Sequence, residues 1–461
     1  MAVPRLEKEL GIDVYATRSP GIGGVIRQEF EDFKVEEVLV DGSRAHADHD
    51  SSGSVRGSLG SSLNTSHHLL CILVKRNWDT FSAVKAIADQ LGISMARVHT
   101  AGMKDARAVT AQHITVEDVS IEDARRVRLK DVQLHPVGYV REELSSFYLL
   151  GNNFQITISS INNSKTTIEK RIRCVVQDLQ TVGGIPNFFG HQRFGTIRPI
   201  THLIGKQIVK GDFEKAVMLF LGSPSPHEHP DSRTAREELV SARDFKAAES
   251  RFPKQLRYEH LILRHLATNP DDFVGAIKKL PFNLQRLLVQ AYQSFLFNKF
   301  LSARMTNGFR LDQAQAGDYV VNLQHDGLPL ISMHAIVREA KLSEANSAIK
   351  KGKMKVALPL IGFKQAFSEG NQGAIEAQIL EREGIRCSDF RIPCIPEISS
   401  RGEVRAVLAC LNDFSFEQIP KLNSNVSANR VRLSFMLHRG SYATVFLREL
   451  MKPFDLVRAG Y

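Results

Sequence analysis

The sequence predicts a mixed α/β protein, and three observations carry that reading. Alternating apolar and polar residues mark strand-like pieces near both ends, at 33–38 and again from Val431 through Leu433, Phe435 and Leu437. From about Thr201 the chain becomes helix-rich. Within that stretch, strand-like pieces return at 318–321 and 356–362, so the two kinds of element are interleaved.

At 461 residues, 43% hydrophobic and 24% charged, the chain is long enough for two or three units with substantial cores. No run approaches the roughly 18 apolar residues that span a bilayer, which excludes a membrane-spanning helix. The N-terminal residues carry both signs of charge and no apolar signal, so a cytoplasmic protein is expected. The five cysteines are scattered and form no C-x-x-C pair; free, mostly buried thiols are expected. A formal charge of +10 favours a polyanionic partner.

The elements follow in order. Gly21, Gly23 and Gly24 lead into a strand and lack G-x-G-x-x-G spacing, which sets aside a nucleotide-binding loop. Residues 51–66 are mostly serine and glycine and predict a flexible loop, bounded at 43–66. His46, Asp48, His49 and Asp50 beside it are expected to be solvated, since a mobile loop holds metal ligands poorly. Residues 69–74 predict a buried strand, and Phe81, Val84, Ile87 and Leu91 a helix capped by Asp79 or Thr80 and closed by Gly92. Residues 108–116 predict a further strand, which places Lys104 and Asp105 on a connection. Leu284, Leu288, Ala291 and Phe295 mark one face of a long helix, and a last helix begins near Ala443.

Phosphate-loop, H-E-x-x-H, G-x-S-x-G and zinc-spaced motifs are missing, so ATP, metal and serine-nucleophile chemistries lack support. Three clusters remain. Residues 101–112 read A-G-M-K-D-A-R-A-V-T-A-Q and put Asp105 between cations among small residues. Residues 186–195 read P-N-F-F-G-H-Q-R-F-G, aromatics and amides suited to stacking and hydrogen-bonding a base. Residues 440–450 read G-S-Y-A-T-V-F-L-R-E-L. Taken singly, these are a turn, a core cluster and a helix cap.

Together they resemble the TruD family of tRNA pseudouridine synthases, whose signatures are A-G-x-K-D-x-x-A-x-T-x-Q, P-N-(Y/F)-F-G-x-Q-R-F-G and G-S-(Y/F)-A-T-x-x-x-R-E-L. Smaller echoes lie at 32–37, 75–80 and 293–298, and the chain reads as an archaeal-like member. The resemblance implies a catalytic domain with a mixed, largely antiparallel sheet, formed by 1–204 and 413–461, and an inserted α+β domain at 205–412. It also implies tRNA as substrate and no cofactor, with position 13, which bacterial members modify, as the target uridine and the additional positions used by archaeal and eukaryotic relatives as the alternative; no metal, no membrane and a monomer are the accompanying expectations.

Isomerising uridine breaks N1–C1′ and joins C5 to C1′ with no atom gained or lost, so neither an energy source nor a redox cofactor is needed. The site must supply one basic or nucleophilic group at the sugar, and a carboxylate, ionised at neutral pH, suffices. The resemblance assigns this to Asp105, as nucleophile at C1′ or base at C2′. Arg448 is its expected positive partner, with Lys104 the alternative. The uracil must leave the RNA stack. Phe189 is expected to stack on it, with Phe33 as another stacking residue and Asn187 holding the loop or contacting the aspartate. Gln192, Arg193, Gly440 and Ser441 complete the expected substrate site. Lys75, Arg76, Lys278, Lys279, Lys350, Lys351, Lys353 and Lys355 are candidates to line a cleft between domains. The competing readings are a tRNA-binding or RNA-chaperone protein of the same fold without catalysis, and a general RNA-binding scaffold.

Overall fold

The computed structural model describes residues 2–48, 59, 61–62, 68–420 and 428–461. Apart from positions 59, 61 and 62, the serine- and glycine-rich stretch 51–66 lies outside the described residues, as do His49 and Asp50. Asp48 pairs with Lys34 at 3.2 Å.

The fold is a mixed α/β structure built on a nine-stranded sheet. Its order is Asn412–Ile419, Asn429–His438, Leu149–Ile161, Phe33–Leu39, Val109–Glu117, His68–Arg76, Val132–Val140 and Ser61–Ser62, with Val98–Thr100 added to Val109–Glu117. Only the Phe33–Leu39 and Val109–Glu117 pairing is parallel; the other ladders are antiparallel. The largely antiparallel mixed sheet expected from sequence is therefore present.

The expected strands and helices occur with shifts of a residue or two, as in Thr80–Leu91. There the Asp79 carboxylate accepts from the Ser82 amide at 2.9 Å, and Gly92 adopts φ 66° to end the helix. Five strands of the sheet are not among those expected from sequence: Asn412–Ile419, Val98–Thr100, Ser61–Ser62, which lies inside the expected 43–66 loop, and two whose residues hide them, Leu149–Ile161 and Val132–Val140. Leu149–Ile161, at 13 residues, has Gly151-Asn152-Asn153 after its first two leucines, which reads as a turn. Val132–Val140 contains Pro136, tolerated because the ladder to His68–Arg76 shifts register between Leu70 and Cys71, where Cys71 faces Pro136.

Residues 201–306 form seven helices, ending in Phe282–Thr306. This last helix is buried on more than the one face its apolar spacing marks, because Gln293, Ser294 and Asn298 are buried as well as Leu288 and Phe295. Gly205 of Thr201–Val209 lets it lie backbone to backbone on that helix: a Cβ there would meet the Leu288 carbonyl at 2.0 Å. A four-stranded antiparallel sheet follows, in the order Pro329–Ile336, Tyr319–Leu323, Met354–Leu360 and Glu403–Ala406. One apolar core runs from Phe33, Phe154 and Ile156 of the large sheet through Leu296 and Phe300 of the long helix to Val356 of the small sheet. A second packs Val84 and Ile87 against Leu73 and Ile114. All five thiols are free, but only Cys71 is buried and Cys394 is exposed, contrary to the expectation that most are inside. Among the described residues, no helix is long and apolar enough to cross a membrane.

Candidate active site

The loop between Val98–Thr100 and Val109–Glu117 carries Asp105, and buried polar groups fix it from below. Lys75 donates to the carbonyls of Asp105 and Trp78 at 2.8 and 2.7 Å, and burial pushes its ammonium down to about 8. Thr80 Oγ1 accepts from the Lys104 amide at 3.0 Å, and Gln112 donates to the Gly102 carbonyl at 3.2 Å. Lys104 turns inward, its ammonium 2.7 Å from buried Glu37, which also accepts from the His113 amide at 2.8 Å.

Asp105 points the other way. Its side chain is 32% exposed and its Oδ1 accepts from Arg27 at 3.1 Å. Arg27 holds a left-handed backbone, φ 58°, donates to the Gly460 carbonyl at 3.0 Å and lies 4.0 Å over the Phe33 ring. Burial lowers its pKa, Arg107 adds to that, and Asp105 opposes both. Its buried Nε has no hydrogen-bond partner among the described residues.

This corrects two expectations about the charge facing Asp105. Lys104 is taken by Glu37. Arg448 is fully buried and binds both carboxylate oxygens of Glu7 at 2.9 Å, with Glu449 at 2.6 Å. The reason is placement: the helix Ala443–Met451 is buried along its length, and the N-terminal helix Arg5–Glu9 brings Glu7 against it. The partner is Arg27, which sequence reasoning missed; it follows the glycine-rich segment and precedes the 32–37 echo, with no periodic signal of its own. Phe33, expected to stack on a base, is 1% exposed and packs edge-on against Phe154 beneath Arg27.

The aromatic loop 186–195 is assembled around the long helix. Asn298 accepts from the Phe189 amide at 2.8 Å and donates to its carbonyl at 3.1 Å. Arg193 donates to Gln290 at 3.1 Å and Ser294 at 3.2 Å. Gly190 is needed for close approach, since a Cβ would sit 2.8 Å from Thr444 Oγ1 and 2.9 Å from the Tyr442 ring. Gln192 accepts from the Thr444 hydroxyl at 3.0 Å. Asn187 holds its own loop, donating to the Ala406 carbonyl at 3.0 Å and accepting from Arg405 at 2.7 Å. Arg405 also donates to the Gly440 carbonyl at 2.7 Å and lies 4.1 Å over the Phe189 ring; burial lowers its pKa to about 10. Arg405 carries no periodic signal of its own in the sequence.

These groups wall a cleft of about 620 Å³. Asn187, Phe189, Arg193 and Gly440 line it together with Arg286, Arg401, Arg405 and Arg439. Gln192 and Ser441 are not in its lining; Ser441 donates its amide to the His438 carbonyl at 3.2 Å. Asp105 is not in its lining either; the loop that carries it reaches the wall at Gly102, where an added Cβ would lie 3.7 Å from Leu149. The cationic lining is thus arginine. Of the expected basic residues, Lys350 and Lys355 line a different cavity of about 1230 Å³, on whose wall Leu150 lies.

Comparison with known proteins shows the family. Residues 9–450 match the family described as tRNA pseudouridine synthase D (TruD). The chain is 36% identical over 450 residues to a probable tRNA pseudouridine synthase D of Methanococcoides burtonii and 38% identical over 452 residues to one of Methanosarcina barkeri, covering 98% of each chain in both cases. A crystal structure of a putative tRNA pseudouridine synthase D from Methanosarcina mazei superposes with a TM-score of 0.80 at 36% identity, over 98% of this chain and 99% of that one. With sequence, fold and near full-length coverage in agreement, the chain belongs to the TruD family of tRNA pseudouridine synthases.

Proposed function

We propose that the protein isomerises a uridine of tRNA to pseudouridine, with Asp105 as the essential acid and position 13 as the target. The observation that carries this reading is the Asp105–Arg27 pair, a partly exposed carboxylate beside a buried guanidinium on a loop that abuts an arginine-lined cleft. In the reaction the N1–C1′ bond breaks, the uracil turns, C5 joins C1′, and the C5 proton is exchanged for one on N1. Asp105 acts at the ribose, either attacking C1′ and later leaving, or taking the C2′ proton and returning it. Arg27 balances its negative charge. The extruded base turns against the wall formed by Phe189, Asn187, Arg193 and Gly440, while the cleft arginines take phosphates.

The division into a catalytic domain of residues 1–204 and 413–461 and an inserted domain of 205–412, a monomeric state and a cytoplasmic location belong to the same proposal. The sheet supports the division, drawing strands from both ends of the chain.

The test is tritium release from [5-³H]uridine-labelled tRNA. The parent protein is expected to release one equivalent per tRNA and Asp105→Asn to lose at least about 10⁴-fold in rate while still binding tRNA, because phosphate contacts carry affinity. Substantial turnover by Asp105→Asn removes Asp105 from this role.

A further inference from the structure

The strand Val109–Glu117 spans roughly 27 Å at about 3.4 Å per residue, and its far end carries, with His68 and with His99 from the strand that precedes the Asp105 loop, a second group of side chains. His68 faces Glu117 across one edge of this strand, and His99 faces Thr115 across the other. Residues two apart share a face, so Thr115 and Glu117 bring both histidines onto one side of the sheet. A donor atom from each of His68, His99 and Glu117 lies within 4.8 Å of the others.

Glu117 Oε1 is 2.9 Å from His99 Nε2, and the other nitrogen, Nδ1, faces Glu143 Oε2 at 3.5 Å. Leu144 anchors the segment bearing Glu143, its amide donating to Thr115 Oγ1 at 3.0 Å. Arg97 donates to the Glu117 carbonyl and faces Asp118 at 3.5 Å, leaving the Glu117 carboxylate to the histidines. A histidine–glutamate hydrogen bond accounts for His99 and Glu117. It does not account for His68, whose Nδ1 is buried without a hydrogen-bond partner among the described residues and whose ring stands edge-on to His99 at 5.9 Å.

We propose that His68, His99 and Glu117 bind a divalent transition ion, with Glu143 orienting His99 through its second nitrogen. Two imidazoles and a carboxylate suit zinc, and a carboxylate on the far nitrogen of a ligating histidine is the usual outer support. Zinc bonds of about 2.0–2.2 Å place ligands roughly 3.3 Å apart. The three donor atoms already lie within 4.8 Å of one another, so small side-chain rotations bring them to that spacing. The ion ties together the ends of three strands. Lys75, which holds the Asp105 carbonyl, pairs with Thr110, and Glu117 lies about 24 Å farther along that strand at about 3.4 Å per residue, so the ion is a structural clip with no part in isomerisation.

The test is zinc chloride added to chelator-treated full-length protein. One equivalent is expected to survive gel filtration, measured by elemental mass spectrometry, and to raise the melting temperature by a few degrees with the tritium-release rate unchanged. His68→Gln, His99→Gln and Glu117→Gln should each lose both the equivalent and the thermal shift. Cobalt(II) titration of the parent keeps the question open to decision even where a variant fails to fold: visible bands without a thiolate charge-transfer band are expected. No stoichiometric uptake by the parent, an equivalent retained in all three variants, or a thiolate band placing the ion on a cysteine overturns the proposal.

Discussion

Arg27 and Asp105, 78 residues apart in the chain, meet at 3.1 Å, and the same guanidinium rests 4.0 Å over the Phe33 ring. The pair joins the segment before the first strand, Phe33–Leu39, to the loop proposed to perform the chemistry. It also explains why Phe33 is inside: the ring is the floor on which the arginine lies.

Replacing Arg27 by Gln is expected to lower kcat by about 10²-fold, because it removes a preorganised charge beside a reacting carboxylate. KM for tRNA should change little, since the guanidinium is buried away from phosphates. Arg27→Lys should recover part of the loss. Single-turnover tritium release measures both, and an unchanged rate in Arg27→Gln counts against the pair.

Arg448→Met is expected to destabilise the fold by about 3–5 kcal/mol, because it leaves Glu7 and Glu449 buried without their cation. At permissive temperature its turnover should stay near that of the parent. Urea unfolding beside rate measurement separates the two effects, and a stable but inactive variant would return Arg448 to the reaction.

Acid should weaken the same contact. Burial alone would raise the Glu7 carboxyl, yet Arg448 and His191 hold it down at about 2, against an ordinary 4.5. Between those values the unfolded chain takes a proton that the folded chain refuses. This contribution to stability is therefore complete above pH 4.5 and is lost as pH falls towards 2, about 3 kcal/mol in all. Urea midpoints measured from pH 5 down to pH 3 should fall, and Glu7→Gln should flatten that dependence.

Phe189 is 8% exposed and packs edge-on against Phe297 and Tyr442. Phe189→Ala should therefore cost about 3 kcal/mol of stability as well as activity, and its rate alone says little about base stacking. Phe189→Leu is the cleaner probe, expected to keep the melting temperature within a few degrees while turnover drops at least about tenfold. Equal loss of stability in both variants would make the ring a packing element only.

Local patterns made much of the fold legible. Alternation marked Phe33–Leu39 and Asn429–His438, and capping chemistry at Asp79 and Gly92 marked Thr80–Leu91. The failures have local causes too, since turn-forming residues at the start of Leu149–Ile161 and Pro136 within Val132–Val140 mask true strands. The site was legible as three motifs, but not its wiring. That Glu7 claims Arg448 across 441 residues, or that Arg405 reaches Asn187 across 218, is decided by tertiary packing and leaves no periodic trace. Nothing in the K-D dipeptide says which of its side chains turns inward; Glu37 decides it, by offering Lys104 a buried carboxylate.

The ladder between Leu149–Ile161 and Asn429–His438 joins strands that lie on either side of the long helical stretch in the sequence. During translation, the earlier strand leaves the ribosome long before its partner has been made. Meanwhile the intervening helices emerge and fold, and a nascent chain halted short of residue 429 presents an open β-edge. Such an edge pairs with whatever strand it meets, so synthesis of Asn429–His438 is what closes it against aggregation.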